Sequence, residues 1–118
     1  LFDVSLLDVP FGAAVALCML NQNDNRVINI LQVGLKRGFF MVKLICAEWL
    51  IKLQKVDNSL IDLLVNEVNG YDLTRRIKAL KLLISLEESI TNTREILLKC
   101  LNDKDAEIRQ ICAEALIK

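Results

Sequence analysis

Four cysteines, Cys18, Cys46, Cys100 and Cys112, are the most reactive side chains in this sequence, and there is no histidine to assist them. No C-x-x-C pair occurs, so a zinc site would have to gather four scattered thiolates. Each cysteine lies inside an apolar run, which predicts buried free thiols in a reducing compartment, hence a cytoplasmic (intracellular) location. The absence of an N-x-S/T acceptor agrees with that location. Without histidine, the Ser–His and Cys–His nucleophile arrangements cannot be built. The carboxylate pairs Glu87–Glu88 and Asp103/Asp105 fall at the ends of apolar-periodic segments, where helix capping already gives them a role. No phosphate-cradling glycine loop or metal-ligand spacing is present. The expectation is a protein that is not an enzyme and has no catalytic residue, metal site or cofactor.

Arg75, Arg76, Lys78 and Lys81 form the densest cationic cluster. With Lys43 and Lys52 it could hold an acidic peptide or a phosphate backbone, which makes a nucleic-acid or phosphate-binding protein the alternative reading. Against it, 15 Lys and Arg balance 15 Asp and Glu, so no net field draws the chain to a polyanion or an anionic membrane. Glu48 and Glu114 also flank Lys81 in its own row at the repeat spacing derived below.

The elements that position these residues follow from length and periodicity. A chain of 118 residues is expected to form one domain, residues 1–118. It is 53% apolar but only 5% aromatic, so Ala, Leu and Ile must fill the core, as suits helices packed closely on helices. The longest uncharged stretch, Val9 to Asn23, is interrupted by Pro10, Gly12, Asn21 and Gln22 and is too short to span a bilayer.

Segments align without a gap at a spacing of 33 residues. Val9, Val42, Arg75 and Ile108 share one column of that alignment, and small residues follow four places later at Ala13, Cys46, Ala79 and Cys112. Leucines follow eight places later at Leu17, Leu50, Leu83 and Leu116, and Leu31, Leu64 and Leu97 stand eleven places before. Asn25, Asn58 and Thr91 recur ahead of one apolar run, and Asp72 and Asp105 ahead of the other, where each can cap a helix. Apolar spacing of i, i+3, i+4, i+7 predicts first helices at 26–36, 59–69 and 93–101, and second helices at 10–20, 40–54, 73–87 and 106–118. The short joints make neighbouring helices antiparallel. The predicted fold is all-α: an α-solenoid of about seven helices in antiparallel pairs. It comprises a partial first repeat (1–20) and repeats at about 25–54, 58–87 and 91–118. Leu1 at one end and a helical pattern reaching Lys118 at the other suggest a piece of a longer array.

The segment from Ile96 to Leu116, with Asp103 in its joint and Ile108-Arg109 opening Gln110-Ile111-Cys112-Ala113-Glu114-Ala115-Leu116, resembles a HEAT repeat of the armadillo-type superhelix. Val42-Lys43 with Cys46, Ala47 and Leu50, and Arg75-Arg76 with Ala79 and Leu83, resemble it less closely, Gly70 standing at the Asp place. The resemblance implies that Asp103, Arg109, Arg76 and Lys43 belong to an inter-repeat hydrogen-bond ladder. Ankyrin units share the period of 33 but open with T-P-L-H-x-A, and this chain has no His and its one Pro near the start.

The resemblance also implies that one row of the second helices lines a concave binding surface, the row three, six and ten places after Val9, Val42, Arg75 and Ile108. In the first unit that row, with Phe11 alongside, carries Val15 and Met19; in the second, with Leu44 alongside, it carries Ile45. An apolar row of this kind suits a partner helix or extended peptide. Phe39 occupies the column of Asp72 and Asp105, so it is expected to stand exposed as a contact residue. The expected function is a protein–protein interaction scaffold that binds a protein or peptide partner along the second helices through Phe11, Val15, Met19, Leu44, Ile45, Phe39, Lys78 and Lys81. The isolated chain is expected to self-associate if the Phe11 row is uncovered.

Overall fold

The computed structural model describes residues 25–86 and 93–118, and among them every regular element is an α-helix. The six are α1 (Asn25–Arg37), α2 (Phe40–Lys52), α3 (Asn58–Val68), α4 (Leu73–Ser85), α5 (Thr93–Cys100) and α6 (Ala106–Ile117). The helix predicted over 10–20 and the Thr91 cap lie outside the described residues. None of the described helices is long and apolar enough to cross a membrane.

Start signals are local and chemical. The Asp72 carboxylate accepts from the Arg75 N–H at 3.1 Å and the Asp105 carboxylate accepts from the Glu107 N–H at 2.9 Å. Each satisfies one of the orphan donors of a first turn. At α3 the cap is Asp57 rather than Asn58: its carboxylate accepts from Leu60 N–H at 2.9 Å and from the Ser59 hydroxyl at 2.9 Å. Asn58 is already the first helical residue, so the acceptor must come from the residue before it.

Helix α2 stops two residues short of the predicted 54 for a backbone reason. Gln54 takes a left-handed φ of 60°, its N–H donates to Ile51 O at 3.0 Å, and the Lys55 N–H donates to Leu50 O at 2.8 Å. Those paired bonds are a Schellman closure, with glutamine at the position glycine usually takes. Helix α4, predicted to reach 87, ends at Ser85. There the Leu86 N–H turns back to Leu83 O at 3.1 Å, a tighter bond than the helical one.

The chain divides into two compact units, Leu1–Leu63 and Leu64–Lys118, with the boundary inside α3. In the first unit α1 packs on α2 around Val27, Leu31, Leu44, Cys46, Ala47, Leu50 and Leu60, all buried. In the second, α6 packs on both α5 and α4, around Leu64, Val68, Ala79, Leu80, Leu83, Leu97, Ile108 and Cys112. Cys46, Ala79 and Cys112, the small residues 33 apart, are fully buried, as are Leu31 and Leu64, with Leu97 nearly so. The column four places earlier is less uniform: Ile108 is buried, whereas Val42 and Arg75 are half-buried.

Candidate interaction surface

Phe39 sits at the N-cap of α2 with extended backbone angles (φ −63°, ψ 161°) and makes no side-chain hydrogen bond to the helix. Its backbone carbonyl does accept the first helical bond, from Lys43 N–H at 2.8 Å. Its ring is 84% exposed. Asp72 and Asp105 occupy the same place on α4 and α6 and cap their helices. At the start of α2 the chain therefore forgoes a capping bond worth about 1 kcal/mol and offers water a phenyl ring instead.

The other predicted contact residues separate. Phe11, Val15 and Met19 lie outside the described residues. Leu44, read as standing alongside the outward row, is 0% exposed. The cause is that α2 is apolar around most of its circumference (FMVKLICAEWLIK), so its buried face is wide and takes in Leu44 with Cys46, Ala47 and Leu50. Ile45 is half-buried, as are Lys43 and Lys78, while Lys81 is exposed. On the same helix Trp49 is half-buried and carries the Lys52 ammonium 4.7 Å from its ring centroid, a cation–π contact at the surface.

The basic cluster is partly consumed by ion pairs within the second unit. Arg75 pairs with Glu67 at 2.5 Å, and Arg76, a buried charge, is held from two directions. Its Nε donates to the Val68 carbonyl at 2.7 Å, closing the end of α3. Its two terminal nitrogens fork onto the two carboxylate oxygens of Asp103, the planar bidentate geometry that suits guanidinium and carboxylate. The Asp105 N–H donates to the same carboxylate at 2.9 Å, and Arg109 Nη1 donates to the Asp103 carbonyl at 2.6 Å. Asp103 is thereby held below the ordinary carboxylate range, first by Arg76 and then by the Asp105 N–H. The Arg76 guanidinium is pushed up by Asp103. Of the residues read as a ladder, Arg76, Asp103 and Arg109 are thus joined through Asp103.

Periodicity gave no sign of Glu67 or of the Asp57 cap. Cys100 and Cys112 are both buried and free. Burial pushes Cys100 up and Cys112 up to about 12, so both are neutral thiols at physiological pH. Exposed Tyr71 and Leu73 flank the Asp72 cap; an aromatic residue directly before a capping aspartate was the available signal. Comparison of the chain with protein-family models, with curated proteins and with solved structures finds no match.

Proposed function

We propose that this chain is a protein-interaction scaffold, a HEAT-like α-solenoid that holds a protein or peptide partner along its second helices, with Phe39 as an anchor. The observation that carries the reading is the exposed ring at the N-cap of α2, where the equivalent positions of α4 and α6 hold capping aspartates. An aromatic side chain that costs its own helix a cap is explained by contact with something outside the helix. The phosphate-binding alternative draws less support, because Arg75 and Arg76 are already engaged by Glu67 and Asp103.

Phe39→Asp tests the proposal because stability and binding should move in opposite directions. The new carboxylate restores the cap seen at Asp72 and Asp105, so the variant should be more stable by about 1 kcal/mol in urea denaturation. Peptides selected on the wild-type chain by display should lose at least about tenfold in affinity for the variant, measured by calorimetry. Their binding should change little with salt. Equal binding by both proteins would remove Phe39 as an anchor, and steep salt dependence with oligonucleotide competition would favour the phosphate reading.

A further inference from the structure

We propose that Asn69–Gly70, in the joint between α3 and α4, is a deamidation site held shut by the grip of Arg76 on the Val68 carbonyl. It is the one Asn-Gly pair in the sequence, and Asn69 is exposed. A glycine has no β-carbon to shield its amide nitrogen, so that nitrogen is open to react with the side chain before it. The backbone here does not demand glycine. No glycine among the described residues has a positive φ, and a Cβ built on Gly70 would meet its nearest neighbour, Glu67 O, at 3.2 Å, a contact that a small shift relieves.

Both reacting groups are tied into the end of α3. The Gly70 N–H donates to Glu67 O at 3.0 Å. The Asn69 side-chain amide donates to Val65 O at 3.2 Å, and the Asn69 N–H donates to the same carbonyl at 3.3 Å. The carbonyl of Val68, in the peptide plane that precedes Asn69, accepts from the buried Arg76 Nε at 2.7 Å. Arg76 is fixed in turn by its fork onto Asp103. The last turn of α3 is therefore pinned from outside the helix by a side chain of α4. Closed, it keeps the Gly70 nitrogen off the Asn69 amide carbon. The Arg76 bond sets how rarely the turn opens, and the rate of modification follows that opening.

In the open turn the Gly70 nitrogen, having lost its proton to solvent base, attacks the Asn69 Cγ. The new C–N bond forms, the Cγ–Nδ2 bond breaks, and ammonia leaves with a proton from water. A five-membered succinimide remains. Water adds to one of its two carbonyls, and the bond from that carbon to the Gly70 nitrogen breaks. Opening at Cγ gives aspartate and opening at the main-chain carbon gives isoaspartate. The sum is a hydrolysis, amide plus water to carboxylate plus ammonium, with no change of oxidation state. Either product loses the donor to Val65 O and places a carboxylate at the C-terminal end of α3, where the helix dipole disfavours it. Isoaspartate also lengthens the main chain between the Val68 carbonyl and the Gly70 N–H. The joint does not reclose on its original bonds, so the change is one-way.

The test incubates the full chain at mildly alkaline pH. It follows the amide-to-acid mass change in tryptic peptide 56–75, which holds Asn58, Asn66 and Asn69, with fragmentation to localise it. In urea above the unfolding midpoint, modification should fall on Asn69 and run at least about tenfold faster than in the native chain, the protection a closed turn supplies. Gly70→Ala should suppress it in urea. In native buffer, Arg76→Met should accelerate modification of Asn69 by about tenfold. Leu97→Ala, a core truncation in the same unit chosen for a similar urea midpoint, should accelerate it less, because Arg76 still holds Val68. Equal rates in native and unfolded wild-type chain, or modification mainly at Asn58 or Asn66, would overturn the proposal. So would an unchanged rate in Arg76→Met, or equal acceleration by Leu97→Ala. The native-against-urea comparison uses the wild-type chain alone, so it stands whether or not a variant folds.

Discussion

The guanidinium of Arg76 ties together two backbone segments, the end of α3 through the Val68 carbonyl and the α5–α6 joint through Asp103. Such a buried pair is weak support for net stability, because both charges had to leave water, but breaking it from one side is costly. Arg76→Met should lower stability by about 3 kcal/mol, read as a shift in urea midpoint, and Arg76→Lys should recover little of it, since an ammonium cannot fork onto both oxygens. Acid titration gives an independent reading. Asp103 and Asp57 both have their acidities strengthened by folding, the first by Arg76 and the second by the Leu60 N–H. As pH falls, the unfolded chain binds those protons first, so the stability they contribute is full above the ordinary carboxylate range and is lost below it. Urea midpoints should therefore fall from about pH 5 downward, less steeply in Asp103→Asn. An acid limb of unchanged slope in that variant would show that Asp103 is not linked to folding.

Among the elements, the helices themselves were largely legible in the sequence, because capping acceptors and the 3.6-residue period act over a few neighbouring residues. Asp72 and Asp105 were readable for that reason. Asn58 was not separable from Asp57, since both side chains can cap and they are adjacent. The end of α2 depended on Gln54 entering a left-handed conformation, which glutamine does not announce. The exposure of Phe39 was readable because its column holds aspartates elsewhere, whereas the burial of Leu44 was not, because a helix apolar on most sides gives a wheel no sharp edge to its buried face. Pair contacts such as Arg75 with Glu67 require knowing how two helices cross, which periodicity along one helix does not contain. The α1–α2 packing is a close crossing of this kind. A Cβ built on Gly34 of α1 would stand 2.5 Å from Cys46 Sγ of α2. Gly34→Ala would gain about 1 kcal/mol of helix propensity, but overlap with a fully buried sulfur costs about 1–3 kcal/mol, so the variant should be less stable than wild type. In a Cys46→Ala background the remaining neighbours lie at 3.6 Å or beyond, and the same substitution should become stabilising. Failure of the sign to reverse in that double-mutant cycle would place the strain elsewhere.

Each of the two units carries its own buried set, which makes local opening the expected response to damage. The first unit buries Leu31, Leu44 and Leu50, the second Leu80, Leu83 and Ile108, and the Arg76 pair belongs to the second alone. Where each unit has its own core, a lesion in one raises the opening probability of its own helices before it reaches the global unfolding free energy. Hydrogen exchange on Arg76→Met should therefore show amides of α4, α5 and α6 exchanging about a hundredfold faster, the factor that about 3 kcal/mol implies. Amides of α1 and α2 should keep most of their protection. Residues of α3 should divide, with those near Val68 following the second unit because their carbonyl partner is gone. Equal loss of protection from α1 to α6 would mean that the chain opens in one cooperative step, and that the two cores stand or fall together.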